Sequence, residues 1–184
     1  MTGQENIPLK MIRETLENIP QFELPKQISL RWFQPGDEKI WREIQTAADK
    51  YNDITPSLFS DQFGSGAELL AQRQCYLLDA AGKPIGSSTA WFDGDFERGK
   101  VGRVHWLAVL PQHQCKGLGK ALMTITCNRL RELGHGRTYL STSSARLAAI
   151  NLYLRFGFTP MIRGPEDKRV WQELQPFLKL ELPL

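Results

Sequence analysis

The segment Gln114-Cys115-Lys116-Gly117-Leu118-Gly119-Lys120 concentrates residues able to do chemistry. It follows an apolar run, Val101 to Val109, closed by Leu110-Pro111, and it opens a long amphipathic stretch. A helix N-terminus exposes unpaired backbone N–H groups and carries a positive partial charge. Glycines at 117 and 119 let a bulky anion approach that backbone closely. Lys116 and Lys120 add cationic charge. In physical terms this is a cradle for a pyrophosphate. Its spacing is neither G-x-G-x-x-G nor a Walker A loop. The plain alternative is a helix start that tolerates glycine. A second candidate is His105. On an extended strand, alternation places Arg103, His105, Leu107 and Val109 on one face. Only His105 among them has an ordinary pKa near neutrality. It could act as a general base, with Arg103 on the same face lowering its pKa. The alternative is a histidine hydrogen-bonded within the sheet.

These residues need elements to hold them. Leu118, Ala121, Leu122, Ile125, Leu130 and Leu133 form the apolar stripe of a helix that Gly134 ends. Arg137 to Thr142 reads as the next strand. Thr142-Ser143-Ser144 then offers caps for a helix with Ala145, Ala148, Ala149, Leu152 and Phe156 inward. Upstream, Ile28 to Phe33 reads as a strand, with Asp37 capping a helix through Ala48. Short helices are expected near 55–63 and 67–73. Cys75 to Leu78 and Ile85 to Phe92 form a hairpin across Gly82-Lys83-Pro84. A polar loop, Asp93 to Lys100, joins it to Val101–Val109 in an antiparallel meander. Strands near Phe158–Ile162 and Lys168–Glu173 finish the chain. The order implies a mixed α/β sheet with a locally parallel pair at the 117–136 crossover. Residues 1–27 stand apart as an N-terminal extension. Pro8 would open a short helix there, with Leu9, Ile12, Leu16 and Ile19 on one stripe. That stripe would pack on its own domain, residues 28–184, or on a second copy as a homodimer.

Composition sets the class. A chain of 184 residues fits one domain with a sizeable core. At 41% hydrophobic and 23% charged it is neither a disordered chain nor a fibre. No window approaches the ~18 consecutive apolar residues of a membrane span. The net charge of +3 is scattered, so no nucleic-acid stripe is expected. Cys75, Cys115 and Cys127 form no C-x-x-C pair, which points to no zinc or other metal site and no disulfide framework. The first residues lack an apolar signal core, and a cytoplasmic setting is the expectation.

Two motifs together resemble a known family. Leu107-Ala108-Val109-Leu110-Pro111 leads into Gln114-x-x-Gly117-x-Gly119, and about 30 residues on stands Ala148-Ala149-Ile150-Asn151-Leu152-Tyr153-Leu154-Arg155-Phe156-Gly157-Phe158. The pair is similar to the Q/R-x-x-G-x-G/A and A-x-x-L-Y-x-x-x-G-F motifs of the GNAT superfamily of acyl-CoA-dependent N-acyltransferases. The resemblance covers roughly residues 28–173. It implies a GNAT-like, largely antiparallel sheet flanked by helices and splayed between its fourth and fifth strands. It implies acetyl-CoA as acyl donor, with the pantetheine arm along Leu107, Ala108 and Val109. The pyrophosphate would lie on the amides of Cys115, Lys116, Gly117, Leu118, Gly119 and Lys120 after Gln114. Tyr153 would protonate the departing thiolate, which suits a weak acid at short range. Many members carry an Asn seven residues before that Tyr, where this chain has Arg146. Two helical turns keep Arg146 on the face of Tyr153, as a cation toward the cofactor or toward solvent. His105 resembles a histidine of the arylalkylamine acetyltransferases of this superfamily. The acceptor pocket would draw on Tyr51, Asp53, Phe59, Phe63, Trp91, Phe92, Asp93 and Asp95. Aromatics with a few carboxylates suit a small primary amine. A protein N-terminus or lysine as acceptor, or a non-catalytic acyl-CoA-binding module, are the competing readings.

Overall fold

The computed structural model describes residues 6–96 and 99–182. Seven strands form one sheet: β1 (Pro8–Arg13), β2 (Ser29–Trp32), β3 (Gln74–Leu78), β4 (Pro84–Phe96), β5 (Gly99–Val109), β6 (Thr138–Ser143) and β7 (Thr159–Pro160). Their order is β2-β3-β4-β5-β6-β1-β7. Every neighbouring pair is antiparallel except β5–β6. Among the described residues six α-helices flank it: α1 (Glu38–Ala48), α2 (Leu58–Phe63), α3 (Ala67–Ala71), α4 (Leu118–Glu132), α5 (Leu147–Arg155) and α6 (Pro165–Leu174). A parallel pair needs a crossover, and α4 supplies it between β5 and β6. On one sheet face α4, α5 and α6 share a core through Met123, Cys127, Ile150, Leu154 and Trp171, packed with Met11, Ala90, Val104 and Leu140. On the other face α1 and α2 bury Trp41, Ile44, Phe59 and Phe63 over β3, β4 and β5.

The mixed, largely antiparallel sheet is the one expected, and so is its splay. Counted from Ile28, the fourth and fifth strands are β5 and β6. They pair only at Gly102↔Thr138 and Arg103↔Tyr139. Even there the approach is tight: a Cβ on Gly102 would lie 2.8 Å from Thr138 Oγ1, so only glycine fits. Beyond Arg103 the strands diverge, leaving a gap alongside Val104 to Val109.

Four expectations need correction. Helix α5 begins at Leu147 with no side-chain cap from 142–144, and it buries Ile150, Tyr153 and Leu154 while Ala148 is exposed. Pro8–Arg13 is a strand, not a helix, and lies inside the sheet between β6 and β7. Leu9 and Met11 alternate into the core, where Leu16 and Ile19 join them, so the stripe packs on its own domain. The division at residue 27 therefore does not separate the described part of the extension from the sheet; residues 1–5 lie outside the described residues. Lys168–Glu173 is helical, within α6. Pro165 stands in its first turn, and Val170, Trp171 and Leu174 are buried at helical spacing. Finally, Asp37 does not cap α1 with its side chain. Its carboxylate accepts from Arg31 and from the Gln34 amide instead.

Candidate active site

The gap owes its shape to a bulge in β5. Thr89 pairs with His105 and Ser87 with Ala108, so Trp106 and Leu107 together oppose Ser88. Trp106 takes φ +50°, the left-handed region that costs a bulky residue about 1–3 kcal/mol. Two side chains hold it there. Gln45, buried in α1, donates from Nε2 to the Trp106 carbonyl at 3.0 Å and to Ser87 Oγ at 3.3 Å. Gln62 of α2 accepts from the Trp106 indole at 3.0 Å. Gln45 escaped the sequence reading. Its signal was a polar residue four positions after Trp41 on the buried stripe of α1.

One extra residue reverses the alternation. Arg103, His105 and Ala108 share the face covered by α1 and α2, whereas Val109 opposes Gly86 on the α4 side, against Leu122. The expectation that His105 shares a face with Leu107 and Val109 is thus corrected. Beyond the bulge, the Leu110 amide bonds the Ile85 carbonyl. The antiparallel ladder then turns the backbone of Leu107 and Val109 away from β4, toward the gap. Gln114 Nε2 donates to the Val109 carbonyl at 2.9 Å, tying the next loop to this edge.

That loop is a string of free donors. Cys115 has φ +60° and Gly117 φ +84°. Among the described residues, none of the amides of Cys115, Lys116, Gly117, Leu118 and Gly119 has a hydrogen-bond acceptor; the first bonded amide is Lys120, to the Gly117 carbonyl. Successive N–H groups at alternating handedness make an anion-binding concavity at the helix's positive end. Leu118 is buried and contributes only backbone, and Gly119 faces Leu152 of α5. The lysines are less direct than their position suggested. Lys116 Nζ donates to the Gln112 carbonyl, and Lys120 Nζ lies 5.3 Å over the Phe22 ring. A cleft of about 350 Å³ opens beside the loop, lined by His113, Lys116, Leu118, Ile28 and Pro25. It adjoins the cradle and does not reach His105 or Tyr153.

Tyr153 lies on α5, nearly buried against Phe158. Its hydroxyl makes no hydrogen bond among the described residues. Burial pushes its pKa up to about 12, with the Arg146 guanidinium pulling the other way. The group is therefore protonated throughout the neutral range. Arg146, at the N-terminus of α5, forms a two-pronged pair with Asp49 at 2.8 and 2.9 Å and lies over the Tyr51 ring. The Tyr51 hydroxyl donates to the Ala145 carbonyl. Burial alone would raise the Asp49 carboxyl, but the Tyr51 amide, Arg146 and Asn52 hold it below the usual range. These contacts clasp the end of α1 to the start of α5, and they engage the Arg146 guanidinium that was expected at the cofactor.

His105 stands on the α1–α2 face among Phe63 and Trp106, with Trp91 next in the same aromatic chain. Its Nε2 is buried without a partner among the described residues. Burial, and secondarily Arg103, push its pKa well below 6.5, so it is neutral at pH 7. Phe92 is corrected out of the acceptor set: it points to the α4 side, stacked on His135. Phe59 and Phe63 are buried in the core under α1. Trp91 and Asp93 alternate onto the face of His105, whereas Tyr51 is exposed and held at the start of α5. Among the described residues no three His, Cys, Asp or Glu side chains are grouped to hold a metal ion. No described helix is long and apolar enough to cross a membrane.

Comparison with known proteins identifies the family and the fold. Residues 36–158 match the family model described as Acetyltransferase (GNAT) family. The chain is 32% identical over 164 residues to a mycothiol acetyltransferase of Pseudarthrobacter chlorophenolicus, covering 82% of this chain and 48% of that one. It is 34% identical over 155 residues to the mycothiol acetyltransferase of Salinispora arenicola, covering 76% and 47%. The chain thus spans about half the length of these curated relatives. Among solved structures, a GCN5-related N-acetyltransferase from Sphaerobacter thermophilus superposes with a TM-score of 0.66 at 20% identity, over 85% of this chain and 49% of that one. The ribosomal-protein-S18-alanine N-acetyltransferase of Escherichia coli gives 0.59 at 21% identity, over 73% and 79%. With the splayed strands, the free amides and both motifs in place, the chain belongs to the GNAT acetyltransferase family.

Proposed function

We propose that the protein transfers an acetyl group from acetyl-CoA to a primary amine of a small molecule, by direct attack of the amine. The observation that carries this is the run of five unpartnered amides, Cys115 to Gly119, at the end of the β5–β6 gap. The residues fit the donor. The amides satisfy pyrophosphate oxygens, and the outward backbone of Leu107 and Val109 offers a strand edge to an extended amide-bearing arm. When bound, acetyl-CoA supplies an activated acyl group.

The chain's own residues supply the rest. An amide on the gap edge, at Val109 or its neighbours, polarises the acyl carbonyl and stabilises the oxyanion formed on attack. Tyr153 holds a proton for the leaving sulfur. His105, neutral and with a free nitrogen on the acceptor face, takes the amine's proton through a water. No covalent enzyme intermediate is called for: the thiols of Cys75 and Cys127 are buried and pushed up to about 12, and Cys115 sits in the anion cradle. The relatives named as mycothiol acetyltransferases support a small-molecule acceptor. The test is thiol release from acetyl-CoA across a panel of small amines and peptides. Turnover on small amines is expected; turnover on peptides alone would overturn the acceptor class.

A further inference from the structure

The vertex of the gap carries charge that the transfer chemistry does not use. Arg103 lies two residues before His105 on the same face, where β5 and β6 still pair. Its guanidinium lies 5.4 Å over the Tyr139 ring, and its Nε is buried with no hydrogen-bond partner. From β1, Lys10 Nζ approaches the same ring at 5.8 Å and the Phe96 ring at 5.2 Å. Among the described residues neither cation has a carboxylate within 4.0 Å. The carboxylate bonded at Tyr139 is Asp93, which accepts from the hydroxyl at 3.1 Å. Two cations and one carboxylate therefore flank one buried ring. A partly desolvated guanidinium with an unmet donor is costly unless an anion completes it.

We propose that Arg103, assisted by Lys10, is the acceptor-specificity residue and that the acceptor amine bears an anionic group, a carboxylate or a phosphate. This rests on the acetyltransferase reading and adds the substrate's chemical class. The geometry sets the scale. Arg103 and His105 are two strand positions apart, roughly 7 Å, so the anion and the reacting nitrogen sit at opposite ends of a short molecule. Arg suits the task because its planar fork meets either oxyanion with two parallel N–H bonds.

The experiment compares three series of matched chain length: n-alkylamines, ω-amino carboxylates and ω-aminoalkyl phosphates, each with acetyl-CoA. In the wild type, kcat/KM for one anionic series exceeds that of the alkylamines by about 10- to 100-fold, the scale of a charge-assisted hydrogen bond. The favoured series identifies the anion. In Arg103→Gln that ratio collapses toward one, and Arg103→Lys restores part of it. Lys10→Gln lowers the ratio less and serves as the second probe should Arg103→Gln fold poorly. A wild type using all three series equally, or a ratio untouched by both Arg103→Gln and Lys10→Gln, overturns the assignment. Acetyl-CoA turnover on none of the three series overturns the parent reading itself, a result distinct from indifference to the anion.

Discussion

Gln45 is the most informative residue to perturb, because among the described residues it alone ties helix α1 to the carbonyl of the bulge. Gln45→Met keeps the side-chain length and deletes both donors. The Trp106 carbonyl and Ser87 hydroxyl are then left without these bonds in a buried site. Orphaning one such group costs about 1–3 kcal/mol. The strain of Trp106 at φ +50° is of similar size and loses one of its two restraints. Urea denaturation should therefore show a loss of about 1–3 kcal/mol. The functional effect separates this from ordinary core damage. If the bulge relaxes into regular pairing, the register slips by one residue from Trp106 onward, turning Leu107 and Val109 away from their present side. Calorimetric titration with acetyl-CoA should then show affinity falling at least about tenfold, about 1.4 kcal/mol. A folded Gln45→Met protein within about 0.5 kcal/mol of wild-type stability, with unchanged acetyl-CoA affinity, would refute the reasoning.

Other perturbations bear on neighbouring parts of the site. Tyr153→Phe keeps the ring and removes the proton donor, so the single-turnover rate should fall about 10²-fold with cofactor affinity nearly intact; an unchanged rate would leave Tyr153 as a core aromatic. Gly117→Val places a β-branched residue at φ +84° in the cradle, so acetyl-CoA titration of the folded variant should show weakened binding; wild-type affinity would remove the cradle from the account. His105 and His135 both have pKa values lowered by burial first, then by Arg103, and by Arg73 and Lys100, respectively. Below about pH 6.5 the unfolded histidines take up protons that the folded ones refuse, so folding stability should drop as pH falls below that value. His105→Gln should flatten part of that drop, and identical pH–stability curves would contradict the buried, neutral assignment.

The sequence carried the glycine loop and the start of α4 well because their signal is local: glycines, a proline stop and a strong helical stripe all lie within one stretch of chain. That α5 is a helix was legible for the same reason, whereas its buried face, through Ile150, Tyr153 and Leu154, was not. What failed was non-local. Pro8–Arg13 becomes a strand through pairing with β6 and β7, residues more than a hundred positions away, while Leu9, Ile12, Leu16 and Ile19 happen to fit a helical period. The run at 168–173 is too short for period to decide between strand and helix, and the structure decides by burying Val170, Trp171 and Leu174 together. The bulge is the most consequential omission. Strict alternation carried His105, Leu107 and Val109 onto one face, and nothing in His105-Trp106-Leu107 marks an extra residue. Its cause lies on α1 and α2, in Gln45 and Gln62.

In the proposed function the amides of Cys115 to Gly119 receive the pyrophosphate of acetyl-CoA. Nitrogen-15 NMR of the protein titrated with acetyl-CoA reads those five N–H groups directly. They should undergo the largest shifts, downfield as they gain charged acceptors, with Leu107 and Val109 moving alongside. Saturable binding that leaves all five amide resonances in place would contradict it.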